Sequence, residues 1–401
     1  MVNNKQKRVS KPKIMLITNF EIPHFGGLSR GLLNQARHLS EKGYEVYIMC
    51  KRNPEKPLVS RSYKVIPLEG RLQESGFMDM IHDFFLLSWF LYRIANKLEV
   101  DVFYAHDVSA ALSCILAGQG RKTILHLHSI ASKGAFVFGK DPCSLSPLSK
   151  AKVLITSLLI SITEIIAYNL VDKIICVSEY EENDAKKKCL QKASIHIVRN
   201  GVDTEVFKSS MEKRQFWRRK FSANGKVIVL FLGRMVPKNG PLIIAKAIPI
   251  VNSKLENVLF IFVGDGVERQ SLEEYIKQNK IENAILLHSI SAEEILPAAD
   301  IFVSHVSSLV PGFGQTIIEA MATGIPTVTG RDEIKEKIFA PDEIVLTDKD
   351  NSTNLAYAII TLAVDNKRRS SLSHKGRLKI LKELSFSSTL NKIEKIISSY
   401  C

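Results

Sequence analysis

Short apolar runs alternate with longer segments of helical spacing along the whole chain. Continuous apolar runs of four to eight residues are typical of strands buried in a parallel sheet. Such runs lie at 13–18, 45–50, 102–105, 122–128, 172–177, 195–198, 226–233, 258–263, 284–287 and 300–303. Because strands and helices alternate in both halves and no internal repeat is visible, the pattern predicts an α/β protein with two Rossmann-like domains.

Two apolar segments of the first half are longer than the strand runs. The segment 77–98 is long enough to span a bilayer, but charged and titratable side chains interrupt it, so a transmembrane span is rejected. Its clustered aromatic residues favour either a helix packed on the sheet or one lying on a membrane interface. The segment 151–170 is apolar, and from residue 153 onward Glu164 is its one charged side chain. This pattern predicts a buried helix.

Length and composition limit the class of protein. A chain of 401 residues fits two domains of about 200 residues each. Hydrophobic residues make up 45% and charged residues 24%, which excludes a disordered chain. The six cysteines show neither Cys-x-x-Cys nor metal-finger spacing, and no secretory signal pattern is seen, so we expect reduced thiols in a cytoplasmic protein.

The net charge of +14 is unevenly distributed. Residues 1–200 contain 28 Lys and Arg against 18 Asp and Glu (+10), and residues 201–401 contain 27 against 23 (+4). An excess of positive charge favours an anionic partner, either nucleic acid or acidic lipid. Since no nucleic-acid-binding motif is present, a peripheral contact with an anionic membrane is the preferred partner. A solvated basic face explains the charge equally well.

The most informative stretch follows the apolar run at 300–303. A glycine loop at 312–314 leads into helical spacing from Gln315, which ends at Gly324. A strand, a glycine loop and a helix point backbone N–H groups and the positive helix end at whatever lies above the sheet. Glu319, one turn into the helix, can accept hydrogen bonds from hydroxyl groups. This combination suits a phosphorylated sugar.

The run GFGQTIIEAMATGIPTV at 312–328 resembles the signature of retaining glycosyltransferases of family 4, which have the two-domain GT-B fold. The resemblance covers nearly the whole chain, and it is strongest over 226–328. It implies two Rossmann-like domains that face a cleft, with an acceptor-side domain at 1–203 and a donor domain at 204–385. A terminal helix at 386–401 is expected to pack back on the N-terminal domain.

One position departs from the family pattern. Pro311 stands where the family has a glutamate that binds hydroxyls of the transferred sugar. Loss of such a charge-assisted contact costs about 1.5 to 3 kcal/mol. The departure leaves open a second hypothesis, a catalytically impaired paralogue that binds nucleotide sugar and acts as partner of another transferase.

Two cations follow the strand run at 226–233. Arg234 and Lys238 lie beyond a strand's carboxyl end, where α/β sheets bind ligands. Arginine can bind phosphate through two hydrogen bonds, and lysine adds a compact charge. The resemblance implies that both hold the donor's diphosphate in place of a metal ion. Neither a metal nor a cofactor is therefore expected.

The resemblance also assigns roles to further residues on the donor side. Glu319 is expected on donor hydroxyls, those of the ribose above all. The backbone around Ile290 is expected to hold the nucleobase, and Gly264 to leave room for the nucleotide. The remaining donor-binding positions are Gly27, next to the phosphates, and Gly312, Phe313, Gly314 and Gln315.

Histidines cluster around the predicted strand at 122–128. His126 and His128 are two residues apart, so they share one face of a strand. A metal site that also includes His106 and Asp107 is one interpretation, and a buried structural role is another. The resemblance implies that His128 contacts the transferred hexose near its anomeric carbon, and it leaves the role of His106 open.

Together these assignments predict a metal-independent hexosyltransferase. It would move a hexose from a nucleotide diphosphate sugar to an acceptor hydroxyl with retention of configuration. The acceptor is expected to be a glycan or a lipid-linked saccharide, as in polysaccharide biosynthesis, at the inner face of the membrane. An epimerase or a phosphorylase on the same fold is a weaker alternative, because an epimerase needs other carboxylates and a phosphorylase a longer chain.

Overall fold

The computed structural model describes residues 11–22, 27–52, 60–68, 77–119, 122–132, 147–190, 193–304 and 314–400. The chain forms two compact units. The first unit comprises Met1–Arg199 and Leu390–Cys401, and the second comprises Asn200–Thr389. The predicted boundaries, after residues 203 and 385, each lie four residues from these.

The first unit contains a seven-stranded parallel sheet in the order β3-β2-β1-β4-β5-β6-β7. Leu16 of the interior strand β1 lies opposite Ile48 on one side and Tyr104 on the other. The side chains of Ile14 to Ile17 are fully buried, as expected for an interior parallel strand. The strands are β1 (Lys13–Ile22), β2 (Glu45–Arg52), β3 (Lys64–Leu68), β4 (Val102–Ala105), β5 (Thr123–Leu127), β6 (Lys173–Cys176) and β7 (Ser194–Ile197).

Helices α2, α3 and α4 contribute to one hydrophobic core with this sheet. Leu91 of α2, Cys114 of α3 and Tyr168 of α4 are fully buried in it. Helix α3 packs against both α2 and α4. The helices of the unit are α1 (Gly27–Glu41), α2 (Phe77–Leu98), α3 (Val108–Leu116), α4 (Pro147–Leu170) and α5 (Glu179–Lys188).

Helix α4 corrects the prediction of a buried helix at 151–170. Only one side of it is covered, where Glu164, Ala167 and Tyr168 are fully buried. Its other side carries large apolar side chains that are 38% to 62% exposed, and we call these eight residues the outer apolar face. They recur at helical spacing: Leu154, Ile155, Leu158, Leu159, Ile162, Ile165, Ile166 and Leu170. The prediction was wrong because the neighbouring helices α3 and α5 cover only one side of α4, whatever residues form the other side.

Helix α2 lies on the sheet and also exposes aromatic side chains. Leu87, Leu91 and Ala95 are buried in the core, whereas Trp89 is 52% and Tyr92 is 60% exposed. Among the described residues, no helix combines the length and the apolarity that a membrane crossing requires. The rejection of a transmembrane span at 77–98 therefore agrees with the structure.

The second unit contains a six-stranded parallel sheet in the order β10-β9-β8-β11-β12-β13. Strands β8 and β9 are buried along their whole length. The strands are β8 (Val227–Leu232), β9 (Val258–Val263), β10 (Ala284–Leu287), β11 (Ile301–Ser304), β12 (Thr327–Gly330) and β13 (Val345–Thr347). The helices are α6 (Met211–Lys220), α7 (Pro241–Asn252), α8 (Arg269–Gln278), α9 (Ala292–Ile295), α10 (Gln315–Thr323), α11 (Glu333–Ile338), α12 (Ser352–Val364), α13 (Asn366–Glu383) and α14 (Phe386–Ser398).

Helix α6 lies near the start of the predicted donor domain. Its arginines bind the carboxylate of Asp300, which directly precedes β11. Arg214 Nη2 lies 2.5 Å from Asp300 Oδ1, and Arg218 Nη1 lies 2.8 Å from Oδ2. The Ile228 N–H of β8 also donates to Oδ2, at 2.8 Å. One carboxylate therefore joins α6 to the sheet.

The terminal helix α14 begins in the second unit and ends in the first. The Phe386 N–H donates to the Val202 carbonyl at 2.9 Å. Farther along, Ile393 and Ile397 are buried, and Lys173 Nζ donates to the Ile396 carbonyl at 3.3 Å. Both residues of this last bond belong to the first unit.

Candidate functional site

In the second unit, the predicted donor residues lie at the point where the strand order reverses. Strand β8 has β9 on one side and β11 on the other. The crevice outside the carboxyl ends of two such strands is the usual ligand site of an open α/β sheet. Arg234 and Lys238 follow β8, while Glu319 belongs to α10, which follows β11. The fold thus brings both predicted groups to the same edge.

The loop after β8 is held in one conformation by short-range bonds. The Asn239 side chain donates to the Arg234 carbonyl at 2.8 Å, and Met235 is fully buried beneath the loop. Gly240, in the left-handed region at φ 65°, ends a 3-10 turn and begins α7. Arg234 is exposed and Lys238 is half-buried. Both cations are therefore carried on a fixed backbone that faces solvent.

The loop after β9 contacts the loop after β8 through backbone alone. The Met235 N–H donates to the Asp265 carbonyl at 2.8 Å, and the Glu268 N–H donates to the Met235 carbonyl at 2.9 Å. A Cβ at Gly266 would lie 2.8 Å from the carbonyl carbon of Met235, closer than such atoms approach. The structure therefore requires this glycine for close approach of two loops.

The loop after β10 is tied to the same edge by an arginine that sequence reasoning missed. Arg269 Nη1 donates to the Gly264 carbonyl at 2.9 Å and to the Leu287 carbonyl at 3.1 Å. Asp265 accepts from His288 at 3.0 Å if the imidazole Nδ1 carries the proton. Ile290, predicted to lie at the nucleobase, follows in this loop and is half-buried. Arg269 could not have been found from the sequence, because its partners are backbone carbonyl groups, which every residue carries.

In the described part of the chain, no side chain caps the N-terminus of helix α10. Gly314 is its N-cap residue. The first N–H groups of a helix carry partial positive charge and attract anions. Gln315 Nε2 donates to the Gly201 carbonyl at 3.2 Å, and Glu319 is only 5% exposed. Gly312, Phe313 and Pro311 lie outside the described residues, and Gly27 is described only as the first residue of α1.

In the first unit, three histidines and a tyrosine meet at the carboxyl ends of β4 and β5. His106 follows β4, His126 lies within β5, and His128 follows β5. His106 Nδ1 lies 3.1 Å from His128 Nε2, and His126 Nδ1 lies 2.8 Å from Tyr104 Oη. The rings of His126 and His128 stack with centroids 4.1 Å apart. We call His106, His126 and His128 the histidine cluster.

Burial keeps the histidine cluster neutral. It lowers the pKa of His106 and of His126 well below the usual value, and it lowers the pKa of His128 to about 4. His106 Nε2 and His126 Nε2 are buried without a hydrogen-bond partner among the described residues. An unpaired buried polar group costs about 1–3 kcal/mol. The cluster is thus a polar site in which two buried ring nitrogens find no partner in the described part of the chain.

Asp107 lies next to this cluster in sequence but has a structural role. Its Oδ1 accepts from the Ala110 N–H at 2.7 Å and so caps α3. Its Oδ2 accepts from the Asn19 N–H at 3.0 Å and from the Thr18 hydroxyl at 3.1 Å. Because both oxygens hold α3 to the end of β1, the interpretation of Asp107 as a metal ligand does not agree with the structure.

Two family models match the chain, and together they cover both units. Residues 25–206 match the model described as Glycosyltransferase Family 4, and residues 213–379 match the one described as Glycosyl transferases group 1. The chain belongs to glycosyltransferase family 4. The parallel sheets and their helices form the GT-B fold of this family, as the sequence predicted.

Three comparisons illustrate the range of the family. The chain is 24% identical to the phosphatidylinositol N-acetylglucosaminyltransferase GPI3 subunit of Saccharomyces cerevisiae, over 86% of this chain and 75% of that protein. It is 29% identical to mannosylfructose-phosphate synthase of Agrobacterium fabrum, over 76% of this chain and 70% of that protein. Its fold is similar to that of Anabaena Alr3699/HepE solved with UDP-glucose, with a TM-score of 0.74 and 18% sequence identity. The match covers 97% of this chain and 100% of that one. Family membership identifies the protein as a glycosyltransferase.

Proposed function

We propose that the protein transfers a hexose unit from a nucleotide diphosphate sugar to a hydroxyl of a lipid acceptor, with retention of configuration. The observation that carries this proposal is the position of Arg234, Lys238 and the N-terminus of α10 around the ends of β8 and β11. A diphosphate is the group that two fixed cations and a helix N-terminus would bind together.

The proposed chemistry needs charge stabilisation at the leaving group. The bond from the anomeric carbon to the diphosphate breaks, and a bond from the acceptor oxygen forms on the same face of the sugar. The acceptor proton leaves with the diphosphate. Arg234 and Lys238 stabilise the developing negative charge, so donor activation requires no metal ion. Glu319 accepts hydrogen bonds from donor hydroxyls, and neutral His128 hydrogen-bonds the transferred sugar.

A lipid acceptor is supported by the outer apolar face. Exposed apolar side chains at helical spacing are typical of a helix that lies in a membrane interface. Residues 1–200 carry a net charge of +10, which would attract anionic headgroups. The GPI3 subunit, by its name, belongs to an enzyme that acts on phosphatidylinositol. We therefore assign the first unit a peripheral contact with an anionic membrane and an inositol phospholipid as acceptor.

A second candidate acceptor is a soluble sugar phosphate. The similarity to mannosylfructose-phosphate synthase favours it, since that protein is 29% identical over 76% of this chain. The paralogue that only binds nucleotide sugar is the less favoured hypothesis, because these relatives are named as a transferase subunit and a synthase.

The test is a turnover assay with three donors: UDP-glucose, UDP-N-acetylglucosamine and GDP-mannose. Each is offered with phosphatidylinositol vesicles or with fructose 6-phosphate, in the presence and absence of EDTA. We expect one donor to be consumed with the vesicles, undiminished by EDTA, and the anomeric coupling constant of the product to match that of the donor. Transfer only to the sugar phosphate would select the second candidate. Donor binding without turnover on either acceptor would contradict both and support the binding paralogue.

A further inference from the structure

The histidine cluster has the composition of a transition-metal site. One ring nitrogen from each of His106, His126 and His128 lies within 4.8 Å of the others. In a tetrahedral zinc site, bonds of about 2.0–2.1 Å place the ligand nitrogens roughly 3.4 Å apart. The rings, whose centroids lie 4.1, 5.4 and 5.6 Å apart, would therefore rotate to bring their nitrogens to this spacing.

The two unpartnered nitrogens of the cluster point to an ion. His106 and His126 are each only 2% exposed, and the Nε2 atom of each is buried without a partner among the described residues. Neutral imidazole is the form that binds metal, and burial keeps these rings neutral. A bound cation would satisfy both nitrogens at once.

Tyr104 orients one of the rings for this purpose. Its hydroxyl oxygen lies 2.8 Å from His126 Nδ1. When Nδ1–H donates to that oxygen, Nε2 is left unprotonated and free to bind an ion. Metal-binding histidines usually donate their other ring N–H to an oxygen in this way. The hydrogen bond between His106 Nδ1 and His128 Nε2 is the one that an ion would displace if His128 binds through that atom.

We propose that His106, His126 and His128 form a binding site for Zn²⁺. Three imidazoles without a carboxylate favour zinc over magnesium or calcium, which prefer oxygen ligands. Three protein ligands leave the fourth position for water or a bound molecule. The site lies in the first unit and shares His128 with the sugar contact proposed above, whereas Arg234 and Lys238 are not part of it.

Titration of metal-depleted protein with ZnCl₂ tests the site, followed by Co²⁺ as a spectroscopic probe. We expect one equivalent of Zn²⁺ to bind, and Co²⁺ to give the intense visible absorption of four-coordinate geometry. His126→Ala should lower the affinity for Zn²⁺ by roughly 100-fold or more. Tyr104→Phe should lower it by roughly 10-fold, the effect typical of removing such a supporting partner.

Matched controls separate this site from surface binding. His288→Ala and His374→Ala change exposed histidines and should leave the affinity unchanged. His126→Phe keeps a ring in the stack without a ligand atom, and circular dichroism checks that each variant is folded. Equal Zn²⁺ binding by wild type and folded His126→Phe would overturn the proposal, as would a six-coordinate Co²⁺ spectrum.

Discussion

A Cβ atom at Gly264 would overlap the carbonyl oxygen of Gly233 and lie 3.0 Å from its carbonyl carbon. Gly264 has a φ of +138°, a conformation that other residues rarely adopt. The contact holds the loop after β9 against the loop that carries Arg234 and Lys238. The sequence assigned Gly264 to nucleotide binding, which stays a prediction, whereas the structure gives it a packing role.

We expect Gly264→Ala to destabilise the protein and to weaken nucleotide binding together. Strain at φ +138° and the overlap with backbone should lower the free energy of unfolding by about 2 kcal/mol or more. Urea denaturation measures the stability, and calorimetry with UDP and GDP measures the binding. Gly225→Ala is the control, because Gly225 also has a positive φ, +74°, but nothing lies within 4 Å of the added Cβ. An equal loss in both variants would contradict a packing role.

Arg234→Ala should weaken binding of the donor nucleotide about 30-fold, because one charge-assisted contact of about 2 kcal/mol is lost. Lys238→Ala should have a similar effect, since it removes the second cation of the proposed diphosphate site. Titration calorimetry at constant ionic strength measures both. Lys226→Ala removes an exposed lysine that precedes β8 and should leave the affinity unchanged. If Lys226→Ala weakened nucleotide binding as strongly as Arg234→Ala, the overall positive charge of the protein would explain the result.

Asp300→Asn should destabilise the protein at pH 7 by about 3 kcal/mol, since it breaks a largely buried ion pair with Arg214 and Arg218. Burial alone would raise the pKa of Asp300, but the Ile228 N–H and the two arginines outweigh it and lower the pKa below its usual value. A carboxyl with a lowered pKa stabilises the fold above its unfolded pKa of about 3.9, and this contribution is lost as the pH falls through the folded pKa.

The difference between wild type and Asp300→Asn should therefore shrink when urea denaturation is repeated near pH 3. Asp342→Asn serves as the comparison, because the Asp342–Lys375 pair is exposed and should contribute little at either pH. A difference for Asp300→Asn that does not depend on pH would show that the charge of Asp300 is not what stabilises α6.

Leu158→Ser should reduce binding to anionic vesicles without lowering stability. Leu158 is 62% exposed in the centre of the outer apolar face, so the folded protein loses little packing. Flotation with vesicles of phosphatidylinositol and phosphatidylcholine, compared with phosphatidylcholine alone, measures the contact. Val267→Ser, which changes a residue of the second unit that is 81% exposed, should have no effect. If neither variant lost binding to the vesicles, the membrane contact would lie elsewhere on the protein.

Four strands of the second unit, β8 to β11, could be predicted almost residue by residue, whereas β12 and β13 were not predicted. The apolar runs at 258–263 and 284–287 coincide with β9 and β10. A buried parallel strand is apolar on both faces, so its sequence alone distinguishes it from its surroundings. The glycine loop and Glu319 could be found in the same way, because all of these residues lie within one short stretch.

Contacts between distant residues could not be predicted. Asp300 is 86 residues from Arg214, so no local pattern indicates that the two side chains bind each other. The side of α4 that stays exposed depends on which of its residues face α3 and α5, and an apolar sequence does not decide that. The hydrogen bond of Tyr104 to His126 likewise arises only when β4 and β5 lie side by side.

The sequence by itself determined the alternation of strands and helices, the membership of family 4 and the cations beyond β8. These three features depend on local periodicity and on short motifs, so residues that are close in the sequence are enough to reveal them. Only the tertiary structure decided that Asp107 binds Thr18 and Asn19, that Gly264 packs on Gly233 and that three histidines meet. Each of these depends on the strand order of a sheet, which brings together side chains that the chain itself holds far apart.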